Sequence, residues 1–270
     1  MERFVPRELT QLMGKEDLRE VRAGDSRSQA MTVCFVDVRQ FSQLVVREGS
    51  DRAFRLLNEL FRDLGEVVHR HHGVVDKYLG DGSLILFPRA AADACEAALD
   101  MQRRCEALRQ AAAPGQPELR IGVGLHCGEI IVGAVGHDAR MDISVVSHVV
   151  NLTSRVQEVA RNLSCDIVIT DELVAQLPVE RRQDLRPLLI HDLRGADQPH
   201  VLWECFHLLS ESVRAERRRT REVLERATQL SSAGDWRGAA GVLEVIAEAD
   251  DTCRKLRHWA AKQAAREAMP

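Results

Sequence analysis

Residues 31–37 read MTVCFVD, an uncharged run of apolar and β-branched side chains closed by a carboxylate. Such continuity, in place of alternation, predicts a strand buried on both faces and sets Asp37 at its C-terminal end. From Ser50, read as an N-cap, Phe54, Leu57, Phe61, Leu64 and Val68 recur at helical spacing until Gly73, read as the C′ residue. Residues 74–79 and 83–87, joined by Gly80-Asp81-Gly82, predict a β-hairpin that holds Asp81 at its tip. An Ala-rich helix follows Pro88 to about Ala113 and is broken by Pro114-Gly-Gln-Pro117. Residues 119–127 and 130–135 are expected to form a second hairpin around Gly128-Glu129, with a polar excursion at 136–140, a strand over 141–146 and a helix from Ser147. Further strands are expected at 166–170, 188–193 and 201–206. The order is that of a ferredoxin-like βαββαβ sheet of the α+β class, covered by helices on one side.

The chain of 270 residues divides into a linker (1–30), a sheet domain (31–207) and a small all-α C-terminal unit (208–270). In the last, the Arg-rich stretch 214–221 reads as a solvated helix face, and Leu224, Ala227, Trp236, Ala239, Ala240, Leu243 and Ile246 supply a packing face. The unit resembles one tetratricopeptide-type helix pair and can dock on the sheet domain or on a protein partner. With 41 acidic against 37 basic side chains and a net charge of −4, nothing favours general nucleic-acid binding. Seven scattered cysteines without a C-x-x-C pair read as reduced thiols, and no stretch has the length of a membrane span, so a cytoplasmic location is expected.

Asp37 and Asp81 stand 44 positions apart at strand ends. Either alone reads as a turn or cap residue; brought together at one sheet edge, they offer a hard divalent cation its oxygen ligands and leave positions for substrate phosphates. The main-chain N–H groups after Asp37, through Arg39 and Phe41, would then open toward those phosphates at a helix start.

Four segments carry a family resemblance. Residues 35–42 (FVDVRQFS), 75–82 (VDKYLGDG), 120–128 (RIGVGLHCG) and 141–155 (MDISVVSHVVNLTSR) resemble, in order, the metal strand, the Lys-x-x-Gly-Asp hairpin, the central strand and the closing strand and helix of class III nucleotidyl cyclase catalytic domains of bacterial type. The resemblance implies that Asp37 and Asp81, with the Val38 carbonyl, bind two Mg²⁺ or Mn²⁺ ions and that Phe41 lies at the phosphate-binding helix start. It implies that Lys77 and Ser144 read the base as adenine, that Asn151 orients the ribose, that Arg155 neutralises charge at phosphorus, and that Arg194 contacts the triphosphate. Asn151 and Arg155, at i and i+4, can share one helix face. The implied reaction is that of an adenylate cyclase, ATP to 3′,5′-cyclic AMP and pyrophosphate, in sites shared across a head-to-tail homodimer.

Departures from the family pattern are Gln40 where glycine is usual, Ile143 where tyrosine is usual, and Ser147-His-Val149 where Gly-Asp-Thr is usual. They keep a second reading open, a catalytically silent cyclase-fold module that binds nucleotide and dimerises to regulate a partner. His69, His71 and His72 read as a solvated helix end, and Ser147-His148 with Asp142 does not suit a hydrolase triad.

Overall fold

The uncharged run lies inside a longer strand, β1 (Ser26–Val38), within an eight-stranded mixed sheet. A computed structural model describes residues 7–112, 115, 117–137 and 140–267. Before β1 comes α1 (Arg7–Leu12); after it come α2 (Phe41–Glu48), α3 (Ser50–Arg70), β2 (Val74–Leu79), β3 (Gly82–Phe87) and α4 (Ala91–Ala111). Next are β4 (Ile121–His137), β5 (Arg140–Val146), α5 (His148–Leu163), β6 (Ile167–Thr170), α6 (Asp171–Gln176), β7 (Leu185–His191) and β8 (His200–Cys205). Three helices close the chain: α7 (Glu211–Ser232), α8 (Trp236–Leu243) and α9 (Asp251–Glu267). The strand order is β2-β3-β1-β4-β6-β8-β7, with β5 paired to the outer half of β4, and β4–β6 is parallel. Ala113, Pro114 and Gln116, where the helix break was expected, and Asp138 and Ala139 of the polar excursion lie outside the described residues.

Burial on both faces of β1 follows the sequence: Val33, Cys34 and Val36 are all closed off from solvent. It also corrects the expectation of helices on one side only. One face packs against α3, α4 and α6 through Val36, Ile85, Val123 and Ile169. The other meets α1 and α5 through Val33, Leu86, Ile130 and Val149, and further along meets α7 to α9. Residues 7–30, within the stretch 1–30 read as a linker, contribute α1, whose Leu9 is buried, and the first residues of β1.

The expected hairpin at Gly128-Glu129 is absent, and β4 is one strand. Its register with β1 runs unbroken from Val38↔Ile121 to Ser26↔Gly133, passing Gly128 opposite Met31. Gly128 serves close approach instead of a turn, since a Cβ there would fall 2.7 Å from Val149 Cγ2, and one on Gly124 would fall 2.4 Å from the Gln157 backbone nitrogen. Glycines in this strand let α5 lie directly on the sheet. Smaller corrections concern α3: Gly49 caps it, His72 at φ 58° takes the left-handed position expected of Gly73, and Phe54 is exposed. His71 is held by Asp100 at 2.8 Å and is not a freely solvated end.

The C-terminal helices dock on the sheet domain, sharing a core in which Leu224, Leu243 and Leu256 meet Val156, Leu188 and Leu202. Three of the arginines read as a solvated face reach acidic partners on the sheet domain. Arg214 and Arg218 bond to Asp184 at 3.1 and 2.7 Å, and Arg217 to Glu204 at 2.8 Å. At the centre Arg186 of β7, with no exposed side-chain surface, bonds to Glu204 (2.6 Å), Asp250 (2.7 Å) and Thr220 (2.9 Å). Burial by itself would lower the Arg186 pKa, but Glu204 and Asp250 push it up; burial pushes the Glu204 carboxyl up and Arg186 pulls it back.

Candidate active site

Asp37, one residue from the end of β1, pairs with Gly82 of β3 and Gly122 of β4. The Val38 N–H donates to the Asp81 carbonyl at 3.0 Å, which ties the β2–β3 hairpin tip to the end of β1. Both carboxylates therefore stand at one end of the sheet. Burial, then the neighbouring Asp81 charge, push the Asp37 carboxyl up; Arg161 and Gln157 act against them. Two carboxylates and a main-chain carbonyl form a hard-oxygen set, and the mutual repulsion that raises Asp37 is what a divalent cation cancels. Among the described residues, no group of three or more His, Cys, Asp or Glu could hold a metal alone. Mg²⁺ commonly takes one or two carboxylates and completes its shell with water and phosphate, so this set fits such an ion.

Sequence reasoning missed two side chains here. Gln157 Nε2 donates to Asp37 Oδ2 at 3.3 Å, and Arg161 stands 3.9 Å from the same oxygen. Their signal is the i, i+4 spacing on α5, though only the packing of α5 on Gly124 shows that this strip faces Asp37. Arg161 also lines a cleft of about 740 Å³ with Arg39, Gln40, Arg47, Arg120 and Asp166. Arg39 is anchored in that wall by the carbonyls of Ala160 (3.3 Å) and Cys165.

Gln40 caps α2 from the left-handed region at φ 56°, without a side-chain cap bond, and α2 opens at Phe41 as expected. The backbone conformation accounts for the glycine usual at this place. Gln40→Gly is expected to stabilise the fold by about 1 kcal/mol, read as a melting temperature higher by roughly 2–4 °C.

Lys77 and Ser144, 67 residues apart, are brought together, with Nζ donating to Oγ at 2.9 Å. Asn151 and Arg155 lie on the exposed side of α5, where Arg155 pairs with Glu158 at 3.0 Å. The helix thus presents one strip to its own Asp37 and another to solvent. Ser147 caps α5 by accepting from the Val149 N–H at 3.1 Å, and its hydroxyl donates to the Glu129 carbonyl at 2.8 Å. This departure from the family pattern preserves the helix start. Arg194 is exposed between β7 and β8, at the opposite side of the sheet from the β2–β3 hairpin, and is not gathered with Asp37 and Asp81.

Burial pushes the cysteine thiols up, as at Cys105 and Cys205 (each to about 12), which suits inert packing residues. No helix among the described residues is long and apolar enough to cross a membrane.

The chain matches the family described as the adenylate and guanylate cyclase catalytic domain over residues 24–201. It is 29% identical over 191 residues to an adenylate cyclase of Anabaena cylindrica, an alignment that covers 68% of this chain and 38% of that protein. The chain therefore spans little more than a third of that relative's length. Its fold is similar to that of a bacterial light-regulated adenylyl cyclase, with a TM-score of 0.69 at 20% identity over 78% of this chain and 61% of that one. It is also similar to the guanylyl cyclase Cya2, with a TM-score of 0.57 at 25% identity over 66% of this chain and 92% of that one. The family match begins just before β1 and runs into β8, taking in the sheet end that carries Asp37 and Asp81, and the chain belongs to the adenylate and guanylate cyclase catalytic domain family.

Proposed function

We propose that this domain is an adenylate cyclase, forming 3′,5′-cyclic AMP and pyrophosphate from ATP in two equivalent sites shared by a head-to-tail homodimer. The observation that carries the choice of ATP is the Lys77–Ser144 pair. An ammonium has donors only, so it suits the acceptor N1 of adenine and opposes the N1–H of guanine, while a serine oxygen can accept from the adenine amino group. Asp37, Asp81 and the Val38 carbonyl would hold two Mg²⁺ or Mn²⁺ ions, whose chemistry when bound is Lewis-acid activation of the 3′-hydroxyl and stabilisation of the leaving pyrophosphate. The arginine-lined cleft beside Asp37 and the main-chain N–H groups at the start of α2 receive the triphosphate. Asn151 and Arg155, turned away from their own Asp37, serve the partner copy's carboxylates, Asn151 orienting the ribose and Arg155 spreading charge at phosphorus. Lys77 and Ser144 act on the same nucleotide from that copy.

Incubation with ATP or GTP and either metal, followed by separation of products, tests this reading; cyclic AMP is expected to predominate. Cyclic GMP as the main product, or nucleotide bound without turnover as in a silent regulatory module, overturns it. Asp37→Ala and Arg155→Ala, each inactive alone, are expected to recover about one quarter of wild-type activity when mixed in equal amounts, because half the dimers are then mixed and each holds one intact site. No recovery despite mixed-dimer formation rules out the shared site.

A further inference from the structure

Asp76 is buried beside the base-reading lysine and has no role in the reading above. Its side chain has no exposed surface, its Oδ2 lies 3.4 Å from Lys77 Nζ, and apart from that contact neither carboxylate oxygen has a hydrogen-bond partner among the described residues. Neighbouring residues in a regular strand point to opposite faces. Here the register with β3 steps from Val75↔Ile85 to Lys77↔Leu84, leaving Asp76 as the extra residue of a bulge. A bulge re-aims side chains, and this one sets a carboxylate and the next residue's ammonium side by side. Burial pushes the Asp76 carboxyl up, the Lys77 charge pulls it back, and Asp142 on β5 pushes it up further. A buried carboxylate with one contact is a poor source of stability compared with an apolar side chain of similar size. Its value lies in what it holds.

Lys77 has three N–H donors. One is given to Ser144 Oγ and one faces Asp76, while the side chain remains one-third exposed at 34%. We propose that Asp76 is a positioning residue for base selection: through the β2 bulge it clamps the Lys77 ammonium against Ser144, so that the remaining donor meets an acceptor ring nitrogen of the purine and adenine is preferred over guanine. This rests on the assignment of base recognition to Lys77 and Ser144. Released from the clamp, the flexible lysine stem no longer holds a donor at the adenine N1, ATP loses that bond, and the distinction weakens.

ATP and GTP binding, KM and kcat are measured for wild type, Asp76→Asn, Asp76→Glu, Lys77→Ala and Asp76→Asn/Lys77→Ala, alongside melting temperatures. Asp76→Asn is expected to weaken ATP binding and raise its KM about tenfold, with kcat and GTP binding within about twofold and the melting temperature not lowered. Asp76→Glu, which keeps the charge, retains the ATP preference, and in the Lys77→Ala background Asp76→Asn changes that preference no further. Preference unchanged in Asp76→Asn but lost in Lys77→Ala overturns the positioning role alone. Preference unchanged in both overturns the base-reading assignment itself. Loss of preference in Asp76→Asn and Asp76→Glu alike, with a fall in melting temperature, marks Asp76 as structural and also overturns the proposal.

Discussion

Asp37→Ala is expected to lower cyclic nucleotide formation at least about a thousandfold, since loss of charge stabilisation worth several kcal/mol multiplies into that factor. The fold should not suffer. Asp37 is half-buried beside Asp81, its carboxyl pushed up by burial and by that like charge, so truncation removes a repulsion. What it gives up is one bond from Gln157 and a 3.9 Å contact with Arg161. A melting temperature equal to or above that of wild type, together with the lost turnover, is the expected pair of results. A variant keeping more than about a tenth of its activity contradicts the role, because such a loss corresponds to only about 1.4 kcal/mol. A fall in stability without a fall in rate would mark Asp37 as a structural cap.

Arg186→Met carries the opposite signature, a large loss of stability at a distance from the chemistry. Removing the guanidinium leaves Glu204 and Asp250 with one fewer cation in the interior, and breaking a buried pair in this way costs about 3–5 kcal/mol. For a chain of this size that corresponds to a melting temperature lower by roughly 6–20 °C, measured by thermal unfolding. Changing Glu204 to Gln and Asp250 to Asn in the same chain should recover part of the loss, since the uncompensated charges then go with their partner. A shift of less than about 2 °C would show that the network contributes no net stability. The position of the network makes the result informative about the site as well. Asp250 leads into α9, whose Thr252 and Lys255 bond to the Leu163 carbonyl (3.2 Å) and the Ser164 hydroxyl (2.6 Å) at the end of α5. The same stretch supplies the Cys165 carbonyl to Arg39, two residues after Asp37.

Much of this molecule is legible along the chain because its signals are local. The uncharged run of β1, the hairpin that carries Asp81, the apolar spacing of α3 and the Ser147 cap of α5 each depend on a few neighbouring residues, and each appears at or near its expected place. Gly128-Glu129 shows how a local signal misleads. Two residues suited to a turn sit inside one strand because pairing with β1 continues across them and α5 needs the glycine's bare surface. Arg214, Arg217 and Arg218 of α7 depart from a solvated face for a related reason: their partners Asp184 and Glu204 lie on the sheet domain, outside any window that a charge pattern along one helix can see.

The order of residues along the chain already places each candidate side chain on its element, with Asp37 at a strand end, Asp81 at a hairpin tip, and Asn151 and Arg155 one helical turn apart. Periodicity and turn chemistry act over a few residues and suffice for that. Which of these groups meet comes from the packing of distant elements: Lys77 meets Ser144, Gln157 and Arg161 meet Asp37, and Asn151 and Arg155 face solvent. Contacts across tens of residues are set by how sheet and helix faces pack, and burial such as that of Asp76 is a property of the packed whole, invisible in the residue itself.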